Sequence, residues 1–386
     1  MKLRRRYHYW WLWIGCVLLV LPMLAGCSGN TQQNNQDTFL ELLKLQPDTA
    51  ITTADTGHAY IVMNDFAKVR DEYGISLPSS NDESDIENYT MSIFNADHSL
   101  GTAGPGYDYT WGSGFNIAYL QLHTYSIRSN NVGYGPNNVN ASIESETGLG
   151  LIGKFDPQAA QTDFNGQIGW SKWAKDDFAT ENYQNVTINS WGDGTAVHLL
   201  DTSSPPDTDE LGRAHPLAVT PANVYFSDTT VNIKSMIDAN MGKSTSMADD
   251  PKYTSIAKGL TELGAYSAII SNDISSLGLV DMSSLKASDT GTAPLLQPYL
   301  ALGSGEGKDD NGLYLALVLV YNNNKSATAN EEILKARIDQ LKGTGTLDSQ
   351  ISVEDNMILG KLYVPGMTNR MSADTWPFEN TVLLHQ

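Results

Sequence analysis

The amino-acid sequence predicts an α+β fold, with antiparallel or mixed sheets that carry helices packed on one face. Pairs of short apolar segments, each pair joined by turn residues, alternate with single amphipathic segments along the chain. Hairpins that alternate with single helices are typical of this fold class. The segments that begin at Gly148 and Leu313 also share the order strand, helix, strand, strand, which predicts a weak internal duplication.

Residues 1–26 have the pattern of a secretory signal peptide. Lys2 and the basic residues 4–6 precede an apolar run over residues 7–25 that contains no acidic residue. The alternative is an uncleaved transmembrane helix, because this run is about long enough to span a bilayer. Both interpretations keep the basic residues in the cytoplasm and place everything after Cys27 outside. We therefore expect the protein to be exported from a bacterial cell.

The apolar run ends in Leu24, Ala25 and Gly26, which are followed by Cys27. This sequence resembles the lipobox of bacterial lipoproteins. Small side chains at Ala25 and Gly26 would let a signal peptidase approach the backbone, and the Cys27 thiol would take a diacylglyceryl group. Each buried methylene of an acyl chain contributes about 0.8 kcal/mol, so two or three chains hold a protein firmly. A lipid on Cys27 is thus predicted to anchor the protein to the outer face of the cell membrane, or to the outer membrane of a host that has one.

The composition agrees with export and argues against nucleic acid as a partner. Removal of residues 1–26 leaves 20 basic and 44 acidic residues, a net charge of −24. Such a surface repels a phosphate backbone. The two cysteines are Cys16, within the signal peptide, and Cys27. The mature domain is therefore expected to have no internal disulfide and to depend on a hydrophobic core.

Residues 27–37 are polar and are predicted to form a flexible tether between the lipid and the folded part. The folded part is divided into two α+β halves, residues 38–212 and 213–386. In the first half, a strand over residues 59–63 leads into a helix that has Asn64 and Asp65 as caps and that ends at Gly74. Two less regular stretches follow: residues 77–114, a predicted irregular excursion, and residues 115–127, which fit a strand or a short helix.

The middle of the chain repeats strand and helix signals. A strand is predicted over residues 148–155, a helix from Asp156 and Pro157, and a strand over residues 186–188. Residues 217–219 and 224–226 then predict a hairpin. The next helix is expected to begin after Asp228, to end at Gly242 and to have an apolar face formed by Val231, Ile233, Met236 and Ile237.

The remaining elements are marked by caps and apolar runs. Asp249 or Asp250 is predicted to cap a helix that has Pro251 in its first turn and Gly264 after its end, and residues 265–270 form a strand. A further strand covers residues 313–321. The pattern then gives a capping box at residues 328–331, a helix to Leu341, and strands near Ile351 and over residues 357–364.

Three short motifs resemble segments of a group of uncharacterised bacterial extracytoplasmic proteins. They are residues 153–157 (GKFDP), residues 191–194 (WGDG) and residues 246–251 (SMADDP). In that group a hairpin and a helix lead into a helix start of the S-x-A-D-D-P type. The resemblance covers residues 42–386 and implies a fold but no activity, and it supplies no catalytic residue.

The sequence gives no metal, cofactor or catalytic site. The seven histidines have no i, i+4 spacing for a metal, and there is no G-x-S-x-G elbow or P-loop. The acidic segments 81–85 and 309–312 lack the full loop that calcium requires, so they are interpreted as solvated turns. Asp249 and Asp250 have a sufficient function as helix caps.

One aromatic segment leaves two interpretations open. Trp170 and Trp173 flank Asp176 and Asp177, and Trp191 lies near Asp193. Exposed aromatic rings beside carboxylates can bind sugars, whereas tryptophans at helical spacing more commonly lie in a core. The leading functional hypothesis is therefore a non-enzymatic, membrane-anchored recognition or scaffold domain, and the alternatives are a receptor for a solute or carbohydrate and an envelope hydrolase.

Overall fold

The computed structural model describes residues 37–51, 60–80, 83–96, 134–165, 178–191, 198–199, 213–214, 216–227, 229–272, 294–341, 348–363 and 383. The predicted signal peptide, the lipid site at Cys27 and the tether up to residue 36 lie outside these residues. None of the helices within the described ranges is long and apolar enough to span a membrane.

The described residues contain seven α-helices. Their bounds are α1 Thr38–Leu43, α2 Phe66–Tyr73, α3 Glu83–Ala96, α4 Pro157–Asn165, α5 Thr230–Asn240, α6 Pro251–Leu263 and α7 Asn324–Leu341. Two short 3₁₀ turns, Pro136–Asn138 and Met247–Asp249, precede β2 and α6.

Fourteen strands accompany these helices in the same ranges. Their bounds are β1 Tyr60–Asp65, β2 Val139–Ser145, β3 Gly148–Gly153, β4 Phe178–Tyr183, β5 Val186–Trp191, β6 His198–Leu199, β7 Arg213–Ala214, β8 Leu217–Val219, β9 Asn223–Phe226, β10 Ala265–Ser271, β11 Ala301–Asp309, β12 Gly312–Val320, β13 Asp348–Glu354 and β14 Met357–Tyr363.

Twelve of these strands form one open sheet in the order β13-β14-β12-β11-β10-β1-β2-β3-β9-β8-β5-β4, and β6 pairs only with β7. Every pairing is antiparallel. The predicted α+β class is confirmed.

The sheet shows the predicted duplication. In one repeat β1, β2 and β3 run outward from the centre, α4 follows, and the β4–β5 hairpin forms one edge. In the other repeat β10, β11 and β12 run outward, α7 follows, and the β13–β14 hairpin forms the opposite edge. The repeats meet where β1 pairs with β10, and the β8–β9 hairpin is inserted into the first repeat alone. The division of the chain after residue 212 stays a prediction.

Helices cover both faces of the sheet, whereas the sequence predicted helices on one face. Because side chains alternate along a strand, β12 places Ala316 and Val318 on the first face and Leu315 and Leu317 on the second face. The first face packs against the buried sides of α1, α5 and α6. The second face has two separate clusters, one with α2, α3 and α4 against β3, β8 and β9, and one with α7 against β11, β12 and β14.

Most of the predicted helix boundaries are confirmed because side-chain caps define them. Asp65 accepts a hydrogen bond from the Lys68 backbone N at 2.9 Å and starts α2, and Gly74 ends it with a φ of 65°. Asp250 accepts from the Lys252 backbone N at 3.0 Å and starts α6, and Gly264 ends it with a φ of 83°. A positive φ of this size favours glycine.

Three predictions about helices were wrong. Helix α5 begins after Thr229 rather than Asp228, and Val231 is 60% exposed instead of buried. Helix α7 begins at Asn324, where Asn323 accepts from the Ser326 backbone N at 3.0 Å, so residues 328–331 lie within the helix and do not cap it. Part of the expected irregular excursion forms α3, and the rest of that stretch beyond residue 96 lies outside the described residues.

Candidate functional site

The centre of the second face carries a row of polar side chains between its two helix-covered clusters. The strand register places Ser142 of β2 opposite Asn64 of β1, Asn64 opposite Ser267 of β10, and Ser267 opposite Glu306 of β11. Four adjacent strands therefore contribute four polar side chains in one line. Leu151 of β3 and Leu315 of β12 continue the line on either side, so the polar row ends where the helix-covered clusters begin.

A second row lies two residues along the same strands. It runs from Glu144 through Val62 and Ile269 to Ser304. Val62 and Ile269 belong to the second-face cluster that contains α7, so their row lies on the second face. Together the polar residues of these two rows form a surface that we call the polar patch: Asn64, Ser142, Glu144, Ser267, Ser304 and Glu306.

The opposite side of the same four strands has a different composition. Its side chains belong to the first-face core: Ile61, Met63, Ala141, Ile143, Ala268, Ile270 and Ala301. At Gly303, which lies between them, an added Cβ would be 2.4 Å from Ile256 Cγ2 of α6. The four strands are thus apolar towards the first face and mostly polar towards the second, although both sides are buried.

Burial distinguishes the patch from a solvated sheet surface. Ser304 and Glu306 are both 0% exposed, and Ser267 is 3% exposed. Asn64 Nδ2 donates to Ser142 Oγ at 3.3 Å. By contrast, Ser267 Oγ, Ser304 Oγ and Glu144 Oε2 are buried and have no hydrogen-bond partner in the described part of the chain. A buried polar atom that lacks a hydrogen bond costs about 1–3 kcal/mol.

Burial strongly perturbs the carboxyl group of Glu144. Burial raises its pKa from 4.5 to about 7. Burial disfavours the charged form, and no described cation lies close enough to oppose this effect. The pKa of Tyr60 on β1 is also raised, first by burial and then by the negative charges of Glu144 and Glu146. Glu144 is therefore poised to change its charge near neutral pH.

A β-bulge adds an aromatic side chain beside the patch. Ala265 lies opposite Gly307 and Ser267 opposite Glu306, so Tyr266 is an extra residue in β10. Its ring packs in the second-face cluster that contains Phe66, and its hydroxyl lies 3.1 Å from that of Tyr73. Bulges redirect side chains and are frequent beside functional sites.

The residues that the sequence singled out do not meet at this patch. Asp249 and Asp250 act as caps: Asp249 Oδ2 accepts from the Ser246 backbone N at 2.8 Å, in a capping box. Asp309 accepts from Lys361 Nζ at 2.9 Å and from the Tyr363 hydroxyl at 2.7 Å, and these bonds outweigh burial and lower its pKa. Within the described ranges, no group of three or more His, Cys, Asp or Glu side chains is arranged to hold a metal.

Other candidate residues lie outside the described part of the chain. These are Leu24, Ala25, Gly26 and Cys27 of the predicted lipid site, Asn81 and Asp82 of the first acidic segment, and Trp170, Trp173, Asp176, Asp177 and Asp193 of the aromatic segment. Asp85 of the acidic segment accepts from Ser79 Oγ at 2.8 Å and from Ser80 Oγ at 3.0 Å.

Comparisons with known proteins find similar solved structures but no matching family. No protein-family model and no curated protein matches the sequence. Among solved structures, the fold is similar to two crystal forms of TP0453, a protein of Treponema pallidum. Crystal form III is 11% identical, covers 85% of this chain and 97% of its own, and gives a TM-score of 0.36. Crystal form I is 11% identical, covers 88% and 98%, and gives a TM-score of 0.35. These comparisons show no specific function.

Proposed function

We propose that this protein is an extracytoplasmic binding protein, held at the membrane by a lipid on Cys27, that binds a small polar ligand on the polar patch. The location follows from the N-terminal sequence alone. The ligand site is supported by one observation: Ser267 Oγ, Ser304 Oγ and Glu144 Oε2 lie on one sheet surface, and all three are buried and lack a hydrogen-bond partner among the described residues.

The energetic cost of buried, unpaired hydroxyl groups favours a ligand-binding patch over a purely structural one. An unpaired hydroxyl destabilises a buried position, whereas alanine at the same place would leave no polar atom to satisfy. Two serines therefore occupy buried places where they do not stabilise the fold on their own. A ligand with hydrogen-bonding groups would give these hydroxyls partners, and Val62 and Ile269, which lie between Glu144 and Ser304, would contact its apolar part.

The position of the patch also fits a binding site. It spans the junction of the two repeats, with Asn64, Ser142 and Glu144 from one repeat and Ser267, Ser304 and Glu306 from the other. Ligand sites are commonly found at such junctions, where a few polar groups orient a ligand within an apolar surrounding.

A second candidate function, acid–base catalysis, is favoured by Glu144. A carboxyl group whose pKa is about 7 can both give and take a proton at neutral pH. Its strand and that of Glu306 are separated by three strand spacings, or roughly 14 Å at the backbone. Turnover of a bound compound that Glu144→Gln abolishes would support this candidate, and binding without turnover would support the first.

The binding proposal is tested with serine variants of matched burial. Ser227 is also buried, but its Oγ donates to the Thr147 carbonyl at 2.5 Å. Ser227→Ala should lose about 1 kcal/mol of stability, whereas Ser267→Ala and Ser304→Ala should leave the melting temperature unchanged or higher. In a thermal-shift screen of amino acids, amines, sugars and short peptides, the two patch variants should lose the shift that the parent and Ser227→Ala show.

Two results would contradict the proposal. If Ser267→Ala and Ser304→Ala destabilise the protein as much as Ser227→Ala does, their hydroxyls have structural partners. If no compound shifts the parent, or if the patch variants keep the full shift, the polar patch does not bind a small ligand, and the scaffold hypothesis is favoured.

A further inference from the structure

The second row of the patch is ordered by chemical type. Across four neighbouring strands it presents the Glu144 carboxyl, the Val62 and Ile269 side chains, and then the Ser304 hydroxyl. The row spans three strand spacings, roughly 14 Å at the backbone. A ligand that lies along it would meet an acidic end, an aliphatic middle and a hydroxyl end.

The acidic end has the clearest chemical preference. Glu144 Oε2 is buried, and no residue that the structure describes donates a hydrogen bond to it. The described ionisable groups near it are Tyr60 on β1 and Glu146 at the end of β2, and neither supplies a positive charge. The guanidinium of Arg70 on α2 is used at the other end of β2, where it donates to the Val139 carbonyl at 3.2 Å and to Asn140 Oδ1 at 2.8 Å.

We propose that the ligand is an aliphatic amine whose ammonium group binds Glu144, whose carbon chain crosses Val62 and Ile269, and whose far end hydrogen-bonds to Ser304. This inference rests on the proposed binding function. An ammonium ion supplies both the positive charge and the hydrogen-bond donors that Glu144 lacks. The Ser304 hydroxyl can donate or accept, so it suits a hydroxyl or a second amine at the far end.

Proton linkage predicts how the affinity for the amine changes with pH. Burial raises the pKa of Glu144 to about 7, and an ammonium partner favours the ionised carboxylate. Below that pKa, binding must release a proton, so affinity should fall by about tenfold for each pH unit. Burial raises the pKa of Tyr60 above its ordinary value, so Tyr60 stays neutral in this range.

Three probes of equal chain length separate the parts of the proposed ligand. They are 7-amino-1-heptanol, which has both polar ends, n-heptylamine, which lacks the far hydroxyl, and 1,7-heptanediol, which lacks the ammonium group. Isothermal titration of the purified protein at pH 8 should show the amino alcohol binding most tightly and the diol at least about tenfold more weakly. At pH 5 the amino alcohol should bind about 100-fold more weakly than at pH 8.

Variants assign each end of the probe. Glu144→Gln should weaken the amino alcohol at least about tenfold at pH 8 and remove its pH dependence. Glu146→Gln is the matched control and should bind like the parent. Ser304→Ala should make the amino alcohol and heptylamine bind equally, because the hydroxyl that distinguishes them has lost its partner.

The outcomes separate this inference from the proposed function. If the diol binds as tightly as the amino alcohol, or if Glu144→Gln binds like the parent, the ligand is not held through an ammonium group. If a neutral compound from the thermal-shift screen binds and responds to Ser304→Ala while no amine binds, the amine inference fails and the binding function stands. If nothing binds, both fail.

Discussion

Replacement of Glu144 by glutamine should stabilise the protein in a pH-dependent way. The residue is half-buried as a whole, but its Oε2 atom is inaccessible. Burial raises the pKa from 4.5 to about 7, and each pKa unit corresponds to about 1.4 kcal/mol. The full shift would give about 3 kcal/mol, and solvent at the accessible part of the side chain reduces this value, so we expect about 1–3 kcal/mol.

The sign follows from proton binding in the two states. Between pH 4.5 and about 7 the folded carboxyl holds its proton while the unfolded one has lost it. Stability of the parent therefore falls as pH rises through this window, and the full loss is present above pH 7. Glutamine does not ionise. The gain in the free energy of unfolding of Glu144→Gln over the parent should therefore be about 1–3 kcal/mol larger at pH 8 than at pH 4.5.

Urea denaturation at pH 4.5, 6 and 8 measures this difference, with Glu146→Gln as the control. Glu146 is exposed in the turn directly after the same strand, so its variant should follow the parent at all three pH values. An equal effect of Glu144→Gln at pH 4.5 and pH 8 would show that Glu144 ionises as it does in water. The account of the polar patch as a dry surface would then be refuted.

Three further predictions concern the anchor, a cap and the sheet. Cys27→Ala should abolish labelling with radioactive palmitate, and labelling equal to the parent would exclude the predicted lipid site. Asp250→Ala should lower stability by about 1 kcal/mol because the α6 cap is lost; unchanged chemical denaturation would show that another group caps the helix. Gly303→Ala should cost about 1–3 kcal/mol because its Cβ would be 2.4 Å from Ile256, whereas Gly360→Ala, with its nearest atom at 3.7 Å, should be neutral, and equal effects would contradict this packing.

The sequence predicted the elements whose ends are fixed by local chemistry. The turn from β1 into α2 was visible because Asp65 and Gly74 bracket a short helix and both act within one turn. The start of α6 was visible for the same reason, since Asp250 caps the helix and Pro251 occupies its first turn. These signals depend on neighbours in sequence, so no knowledge of the tertiary structure was needed.

The errors arose where a polar sequence concealed an apolar stripe or where a motif was taken out of context. Helix α3 buries Ile86, Tyr89 and Ile93 at helical spacing, but serines, asparagines and acidic residues separate them. At α7, residues 328–331 have capping-box spacing, but the cap is Asn323, and the helix begins at Asn324. Spacing alone cannot show which of two possible caps lies outside the helix.

The polar patch could not be predicted because its parts look ordinary on their own strands. Serine and glutamate alternate with apolar residues in β2 and β10 and with glycines in β11, and polar residues at every second position are the usual pattern of a strand with one solvated side. Only the register shows that Ser142, Asn64, Ser267 and Glu306 form one line, and only the burial shows that this line is not solvated.

The duplication explains why the patch lies at the centre of the sheet. The second-face clusters of the two repeats include α4 and α7, which each follow the third strand of their meander. Joining the repeats through β1 and β10 brings their inner strands together at the centre of the second face, where Val62 and Ile269 belong to the cluster that also contains the buried side of α7. On the first face, α6 covers this junction and the strands beneath it are apolar. The polar residues are thus confined to one side of the junction, the side opposite α6.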